Sequence, residues 1–142
     1  MKKVKDILAK KNPELISIGP SAKIIEALQL MNDRNIGSVV VLDQGKYLGL
    51  ITERDYARKV ILLGKSSSDT PVSEVMSTEL PEVQVETTVE LCMILMSEKQ
   101  VRYLPVMDGK RFVQVISIID LISATIQDQL ETIDYLKTYI HT

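Results

Sequence analysis

Two short stretches place a hydroxyl and a carboxylate at the same spacing, and these side chains are the chain's best candidates for a functional site. In Gly49-Leu-Ile-Thr-Glu-Arg-Asp55, Thr52 precedes Asp55 by three residues, and Ser117 precedes Asp120 in the same way. A Thr or Ser followed three residues later by an acid is typical of a capping box at a helix N-terminus. The same hydroxyl and carboxylate could also hold a ligand. The motif alone favours the cap.

Other kinds of chemistry are excluded by the residue counts. The chain has one cysteine, Cys92, and one histidine, His141. These counts are too low for a His or Cys metal cluster, and His141 is the penultimate residue, where chain ends usually fray, so we expect no Cys-His or Ser-His catalytic pair. It also has no glycine loop of the kind that cradles phosphate. Cys92 lies between two apolar residues of a helical pattern, which predicts burial. We expect no enzyme activity.

Charge and hydropathy narrow the class of protein further. Lys and Arg number 17 and Asp and Glu number 19, for a net charge of -2. The basic residues are scattered except near the start, where we interpret Lys2, Lys3, Lys5, Lys10 and Lys11 as a solvated helix face. We expect no nucleic-acid partner. No apolar run approaches the ~18 residues of a membrane span, and no signal peptide is visible. These features predict a cytoplasmic protein without a membrane segment.

The sequence contains an internal repeat, because a shift of 65 residues aligns its halves. Under this shift Thr52 meets Ser117 and Asp55 meets Asp120, so the motif occurs twice. A further matched pair, residues 4–8 and 72–76, is separated by 68 residues. The chain therefore divides into two half-domains, residues 1–68 and 69–142, joined by a polar connector.

Each half has the same predicted order of elements: strand, helix, strand, strand, helix. The second and third strands form a hairpin that runs directly into the Thr or Ser of the motif. We expect an α+β fold of two β-α-β-β-α repeats that pack sheet to sheet with pseudo-twofold symmetry, because one half could scarcely bury enough surface alone. Ser21 is the predicted cap of the first repeat's central helix. The predicted elements are strands at 16–18, 39–42, 47–51, 83–85, 104–107 and 112–116, with a long C-terminal helix after Asp120.

The whole pattern resembles a tandem CBS domain pair, or Bateman module. The resemblance lies in "GSVVVLDQGKYLGLITERD" from Gly37 to Asp55 and in "VRYLPVMDGKRFVQVISIID" from Val101 to Asp120. It implies a non-catalytic sensor that requires no cofactor and binds AMP, ATP, NAD or another adenosine-containing ligand between the repeats. It also implies that Thr52, Asp55, Ser117 and Asp120 bind the ribose. A carboxylate suits this role, because its two acceptor oxygens can bind a vicinal diol.

The resemblance also implies partners for the phosphate. Arg102 would face the ligand of Thr52 and Asp55, and Arg54 would face the ligand of the second motif; a plain surface role is the alternative for both. The second repeat departs from the family pattern, since Gln114 replaces the glycine found at position 49, and Ile119 precedes the motif acid. We therefore expect the better-bound cleft to be the one built on Thr52 and Asp55.

Two alternatives stay open at this stage. The apolar residues of the C-terminal helix, which recur every three or four positions, could cover the chain's own core or form the homodimer surface that the resemblance favours. The chain could be a nucleotide sensor for an unidentified regulated protein. It could instead be a degenerate scaffold whose clefts are vestigial, which Gln114 and Ile119 would favour.

Overall fold

The computed structural model describes residues 1–140 in full and the backbone of His141, whose side chain therefore lies outside the described residues. The described chain is a mixed α+β structure that ends in a long helix, as predicted. The helices are α1 (Val4–Lys10), α2 (Ile24–Arg34), α3 (Glu53–Tyr56), α4 (Val89–Lys99) and α5 (Ile118–His141), with a π-helical turn at Ala57–Ile61 and a 3-10 turn at Val72–Glu74. The strands are β1 (Ser17–Ile18), β2 (Ser38–Asp43), β3 (Lys46–Thr52), β4 (Val83–Gln84), β5 (Tyr103–Asp108) and β6 (Arg111–Ser117).

The first compact unit, residues 14–80, contains a three-stranded sheet in the order β1-β2-β3. β1 is parallel to β2, and β2 forms an antiparallel hairpin with β3 in which Ser38 lies opposite Thr52. Gln44 and Gly45 make the turn with positive φ angles of 50° and 82°, the geometry that tight hairpins require. This hairpin delivers Thr52 to the end of β3, where α3 begins.

The second compact unit contains residues 1–13 and 81–142 and repeats this plan with the order β4-β5-β6. Tyr103 lies opposite Ser117, as Ser38 lies opposite Thr52 in the other unit. α1 belongs to this unit, because Val4 and Ile7 are buried in the same apolar cluster as the β4, β5 and β6 side chains. A seven-residue helix has no core of its own, so its apolar side chains must be covered by a neighbour.

The compact units therefore divide the chain differently from the sequence halves 1–68 and 69–142. Residues 1–13 pack with the second repeat, and residues 69–80 pack with the first. Val72 shows why, because it is fully buried in the cluster that contains Ile24 and Val39. The segment that leads into each repeat thus completes the core of the other repeat.

Two local predictions have clear outcomes. Ser21 does not cap α2; the helix begins at Ile24 with Lys23 at the cap position, where Glu26 accepts a hydrogen bond from the Lys23 N–H at 2.7 Å. The prediction of a Ser21 cap was wrong because the chain turns through residues 19–22 before the helix begins. Cys92 is fully buried, as predicted, and this burial raises the pKa of its thiol to about 11.

The C-terminal helix does not cover the chain's own core along its length. Its apolar residues beyond Ala124 are 46% to 75% exposed, namely Ile126, Leu130, Ile133, Leu136 and Ile140. Their spacing of three or four residues places them along one side of α5. Of the two alternatives that the sequence left open, the structure of this chain contradicts the covering role.

Candidate functional site

The two motifs each form a capping box at a helix N-terminus. At the first site, which we define as Thr52 and Asp55, the Asp55 N–H donates to Thr52 Oγ1 at 3.1 Å and the Thr52 N–H donates to Asp55 Oδ2 at 3.0 Å. At the second site, Ser117 and Asp120, the corresponding distances are 3.1 Å and 2.8 Å. The predicted caps are thus confirmed at both sites, and the sites differ in what else surrounds the carboxylate.

The Asp55 carboxylate is buried, accepts three hydrogen bonds and forms one ion pair. Oδ2 accepts from both the N–H and the hydroxyl of Thr52, the latter at 2.9 Å. Oδ1 accepts from the Ser77 hydroxyl at 2.8 Å and pairs with Lys59 Nζ at 2.9 Å. A carboxylate has about four lone-pair positions, so its hydrogen-bonding capacity is filled by the protein. A ligand hydroxyl would have to displace Ser77 or Lys59.

Ser77 reaches Asp55 because its segment runs against β3. Leu50 and Ser77 exchange two backbone hydrogen bonds, with N–O distances of 3.0 Å and 2.7 Å. Gly49 permits this approach, since a Cβ atom there would lie only 2.6 Å from the Ser77 carbonyl oxygen. The glycine of the motif therefore lets the backbone at Ser77 lie beside β3. From there the Ser77 hydroxyl reaches the Asp55 carboxylate.

The Asp120 carboxylate is more open. Oδ2 accepts from the Ser117 N–H and from Lys11 Nζ, both at 2.8 Å. Within the described chain, Oδ1 accepts no hydrogen bond. The Asp120 side chain is 24% exposed, compared with 6% for Asp55. One oxygen of the second site is therefore available to a ligand without displacing any protein group.

At the second site, two side chains make the hydrogen bonds that the backbone of Ser77 makes with Leu50 at the first site. Val115 is the equivalent of Leu50 under the 65-residue shift. Its N–H donates to Oε1 of the neighbouring Gln114 at 3.0 Å, and its carbonyl accepts from Lys11 Nζ at 2.9 Å. Since Gln114 and Lys11 satisfy these groups, no second backbone segment has to lie beside β6 here. The departure from glycine thus leaves room beside the motif rather than crowding it.

The position four residues after each motif acid also differs. After Asp55 this residue is Lys59, whose ammonium group binds Asp55 and donates to the Val75 carbonyl at 3.1 Å. After Asp120 it is Ala124, which is too short to reach the carboxylate. Residues at this spacing lie on the same side of a helix. Lysine therefore closes the first site, and alanine leaves the second open.

A cavity of about 320 Å³ lies beside Asp120. It is formed between α1 with its flanking residues and the first turns of α5, and it is lined by Lys2, Asp6, Ile7, Lys10, Lys11, Asp120, Ser123, Ala124 and Gln127. Its volume is within the range of pockets that hold small ligands, about 300 to 1,000 Å³. A second cavity, of about 300 Å³, is lined by Lys59 and residues 76–80, without Asp55. Of these two cavities, the one on α5 has a motif carboxylate in its wall.

Comparison with known proteins decides the family. The CBS domain family matches residues 4–62 and again residues 72–126, which is most of the chain. The chain belongs to the CBS domain family. The resemblance in the two repeated motifs is thereby confirmed, and the two matched ranges correspond to the two repeats that the 65-residue shift identified.

Known CBS proteins share both the sequence and the fold. The CBS domain-containing protein YhcV of Bacillus subtilis is 36% identical over 121 residues, which cover 85% of this chain and 84% of YhcV. The mitochondrial protein CBSX3 of Arabidopsis thaliana is 36% identical over 122 residues, 82% of this chain but only 59% of CBSX3. A solved structure of a protein with CBS domains from Burkholderia ambifaria is 37% identical, with a TM-score of 0.85 over 90% of this chain and 96% of that one.

The arginines that the CBS resemblance singles out differ in their surroundings. Arg54 already has an interaction partner within the described chain. The Arg102 side chain is exposed and makes no hydrogen bond or ion pair with described residues. Arg102 belongs to the compact unit of Asp120, whereas Thr52 and Asp55 belong to the other. The phosphate-binding roles of both arginines stay predictions.

Several site residues of this CBS pair could not be found from the motif. Lys59 and Ser77 contact Asp55, and Lys11 contacts Asp120. The sequence predicts a solvated helix face for Lys11 and its neighbours, but this is wrong for Lys11, whose side chain is only 27% exposed and binds the motif acid. The i+4 spacing of Lys59 from Asp55 was a usable signal. Lys11, 109 residues from Asp120 in sequence, offered none.

None of the helices among the described residues is both long enough and apolar enough to cross a membrane. No group of three or more His, Cys, Asp and Glu side chains in the described chain could hold a metal ion.

Proposed function

We propose that this CBS pair is a regulatory module that binds an adenosine-containing nucleotide, such as AMP, ADP, ATP or NAD, and catalyses no reaction. Two observations on Asp120 support this function: the residue lines a cavity, and its Oδ1 accepts no hydrogen bond from described residues. Such an oxygen can accept hydrogen bonds from ribose hydroxyls without a prior change in the protein. The chain needs no cofactor for this role.

We place the preferred site at Ser117 and Asp120, the reverse of the preference that the sequence suggested. At the first site a ribose would compete with Lys59 and Ser77 for the Asp55 carboxylate. Displacing them would leave buried or half-buried polar groups without partners, which costs about 1 to 3 kcal/mol for each group. No such cost arises at Asp120 Oδ1.

Regulation would follow from the position of the cavity. Its walls come from α1 and α5, two elements far apart in the sequence. A nucleotide that contacts both would favour the conformations in which they lie close together. A partner protein that distinguishes these conformations would read the nucleotide concentration. We propose that such an effector protein, rather than a catalytic step, is the output of binding.

Substitution of Asp120 by Asn tests the site. We expect at least one nucleotide of a panel of AMP, ADP, ATP and NAD to raise the melting temperature of the wild-type chain, because a ligand at 100 times its dissociation constant adds about 2.7 kcal/mol. Asp120→Asn should weaken that binding about tenfold or more, since a charge-assisted hydrogen bond is lost. Differential scanning fluorimetry over a range of nucleotide concentrations measures both effects.

Asp43→Asn is the matched control for this experiment. This substitution makes the same change of charge at an exposed hairpin residue. The Asp43 side chain has no partner in the described chain. Asp43→Asn should keep the wild-type response. Equal responses of the wild type and Asp120→Asn to every nucleotide would refute the proposed site, and a wild type that responds to none would refute the proposed function.

A second candidate function rests on the exposed apolar side of α5. Ile126, Leu130 and Ile133 are each about half exposed, and a row of this kind is typical of a surface that packs against another helix. We propose that it forms a homodimer interface. The module could then act purely as an assembly scaffold. A dimeric mass in sedimentation equilibrium, together with no response to any nucleotide, would favour the scaffold over the sensor.

A further inference from the structure

The two segments that lead into the repeats are anchored in the same way at their starts. The Val4 N–H donates to the Thr87 carbonyl at 2.8 Å. In the other compact unit the Val72 N–H donates to the Ala22 carbonyl, also at 2.8 Å. The two donors are equivalent under the 68-residue shift, and the two acceptors are equivalent under the 65-residue shift. Both segments therefore begin at the same place on their repeat.

The two segments diverge after Leu8 and its equivalent Met76. The first segment continues as α1 to Lys10. The second leaves its 3-10 turn and lies beside β3, where Ser77 exchanges two backbone hydrogen bonds with the strand. Ala9 is the equivalent of Ser77 and is still helical. Because a seven-residue helix is marginal on its own, something near its last turn must decide between the helical and the extended course.

The strand residue that faces this point differs between the repeats. A Cβ atom at Gly49 would lie 2.6 Å from the Ser77 carbonyl oxygen, so any residue larger than glycine would exclude the extended segment there. The equivalent residue of β6 is Gln114, which is buried. If Ala9 took the place that Ser77 has in the first repeat, its carbonyl oxygen would meet the Gln114 Cβ.

We propose that Gln114 is a positioning residue that keeps the second site open. Its Cβ excludes residues 9–11 from the edge of β6, and its amide oxygen accepts the Val115 N–H that the extended segment would otherwise bind. The inference goes beyond a passive vacancy beside β6, because it makes one side chain responsible for the course of the preceding segment. Its consequence for the ligand rests on the proposed function.

The helical course leaves the second site open in two ways. Lys10 and Lys11 stay in the wall of the cavity beside Asp120. In addition, no hydroxyl is brought to the Asp120 carboxylate as the Ser77 hydroxyl is brought to the carboxylate of the first site. Ala9 has no hydroxyl to offer. Full closure of the second site would therefore need two changes, the loss of the Cβ at position 114 and a hydroxyl at position 9.

Gln114→Gly and Gln114→Ala test the steric part without any ligand, because both remove the amide and only the first removes the Cβ. In Gln114→Gly, residues 9–10 should lose their helical backbone chemical shifts. The Val115 N–H should exchange with solvent at least about tenfold more slowly than in Gln114→Ala, where its acceptor is missing. In Gln114→Ala, α1 should stay helical to Lys10. NMR spectroscopy measures both quantities and shows from the amide dispersion that each variant is folded.

Helix propensity is the competing explanation, since Ala9 and Lys10 are better helix formers than Ser77 and Thr78. It predicts that α1 stays helical in Gln114→Gly as well. An α1 that keeps the same length in both variants, with equal exchange of the Val115 N–H, would therefore overturn the role of Gln114.

The double variants Gln114→Gly/Ala9→Ser and Gln114→Ala/Ala9→Ser test the effect on the site, and they differ by one Cβ atom. The first should bind the strongest nucleotide of the panel at least about tenfold more weakly than the wild type, because the introduced hydroxyl competes for Asp120. The second should bind within about threefold of the wild type. Calorimetric titration measures the affinities.

Equal nucleotide affinities in the two double variants would overturn the claim that Gln114 keeps the site open for a ligand. A wild type that binds no nucleotide would refute the proposed function alone, because the NMR comparison of Gln114→Gly with Gln114→Ala decides the role of Gln114 without a ligand.

Discussion

Gly49→Ala should lower the melting temperature of this protein by about 10 °C. The added Cβ would lie 2.6 Å from the Ser77 carbonyl oxygen, a backbone atom that cannot turn away as a side chain could. The segment that carries Ser77 must therefore move, and its two backbone hydrogen bonds with Leu50 would be strained or lost. Overpacking together with these losses costs about 2 to 4 kcal/mol, and each kcal/mol corresponds to about 4 °C at this chain length.

Gly19→Ala is the control for this prediction. A Cβ at Gly19 would meet no atom within 4 Å, and Gly19 does not have a left-handed backbone conformation. The same chemical change should therefore alter the melting temperature by no more than about 2 °C, as is usual for surface substitutions. If thermal unfolding monitored by circular dichroism gave Gly49→Ala and Gly19→Ala the same melting temperature, the close approach of residue 77 to β3 would be wrong.

Asp55→Ala and Asp120→Ala should have very different effects on stability, although they alter the same motif. Asp55→Ala removes the acceptor for Thr52, Ser77 and Lys59 at a buried position. We expect a loss of about 3 kcal/mol in the free energy of unfolding, because buried donors are left without partners. Asp120→Ala breaks one partly exposed ion pair and one cap bond, which together contribute about 1 kcal/mol.

Each of these two variants serves as the other's control, since both lose a capping box at a helix N-terminus. Urea unfolding gives the two free energies from their midpoints, provided that the slopes agree. The expected difference of about 2 kcal/mol comes from the additional interactions of the buried Asp55 carboxylate with Thr52, Ser77 and Lys59. Equal losses would contradict the contrast between a structural carboxylate at Asp55 and an available one at Asp120.

The repeat and its periodic apolar residues were sufficient to predict most of the fold. The hairpin strands were predicted because apolar runs end at turn residues such as Asp108 and Gly109, and the structure has β5 and β6 on either side of that turn. The capping boxes were predictable because they depend on residues only three apart. Such local signals do not report which segment covers which sheet, so the packing of residues 1–13 with the second repeat could not be foreseen.

The contrast between the two sites also depends on packing that local sequence signals do not report. From the sequence, Gln114 in place of the glycine of the first repeat could either crowd the second site or add a hydrogen bond. In the structure its side chain accepts the Val115 N–H, a role that the Ser77 carbonyl has for Leu50 in the first repeat. The Gln114 hydrogen bond is local, whereas the approach of Ser77 to Leu50 is a long-range contact that the motif does not reveal. One sequence pattern therefore gives one closed and one open carboxylate.

Calorimetric titration of the wild type and of Ala124→Lys with the panel's strongest nucleotide tests the central claim most directly. Ala124→Lys places at the second site the residue that closes the first, where Lys59 pairs with the motif acid at 2.9 Å. The wild type should bind one nucleotide per chain, and Ala124→Lys should bind about tenfold more weakly or not at all. Lys59→Ala should keep the wild-type binding at Asp120. Two nucleotides per wild-type chain, or an unchanged affinity in Ala124→Lys, would contradict the proposal that the ligand binds at the site of Asp120 and not at the site of Asp55.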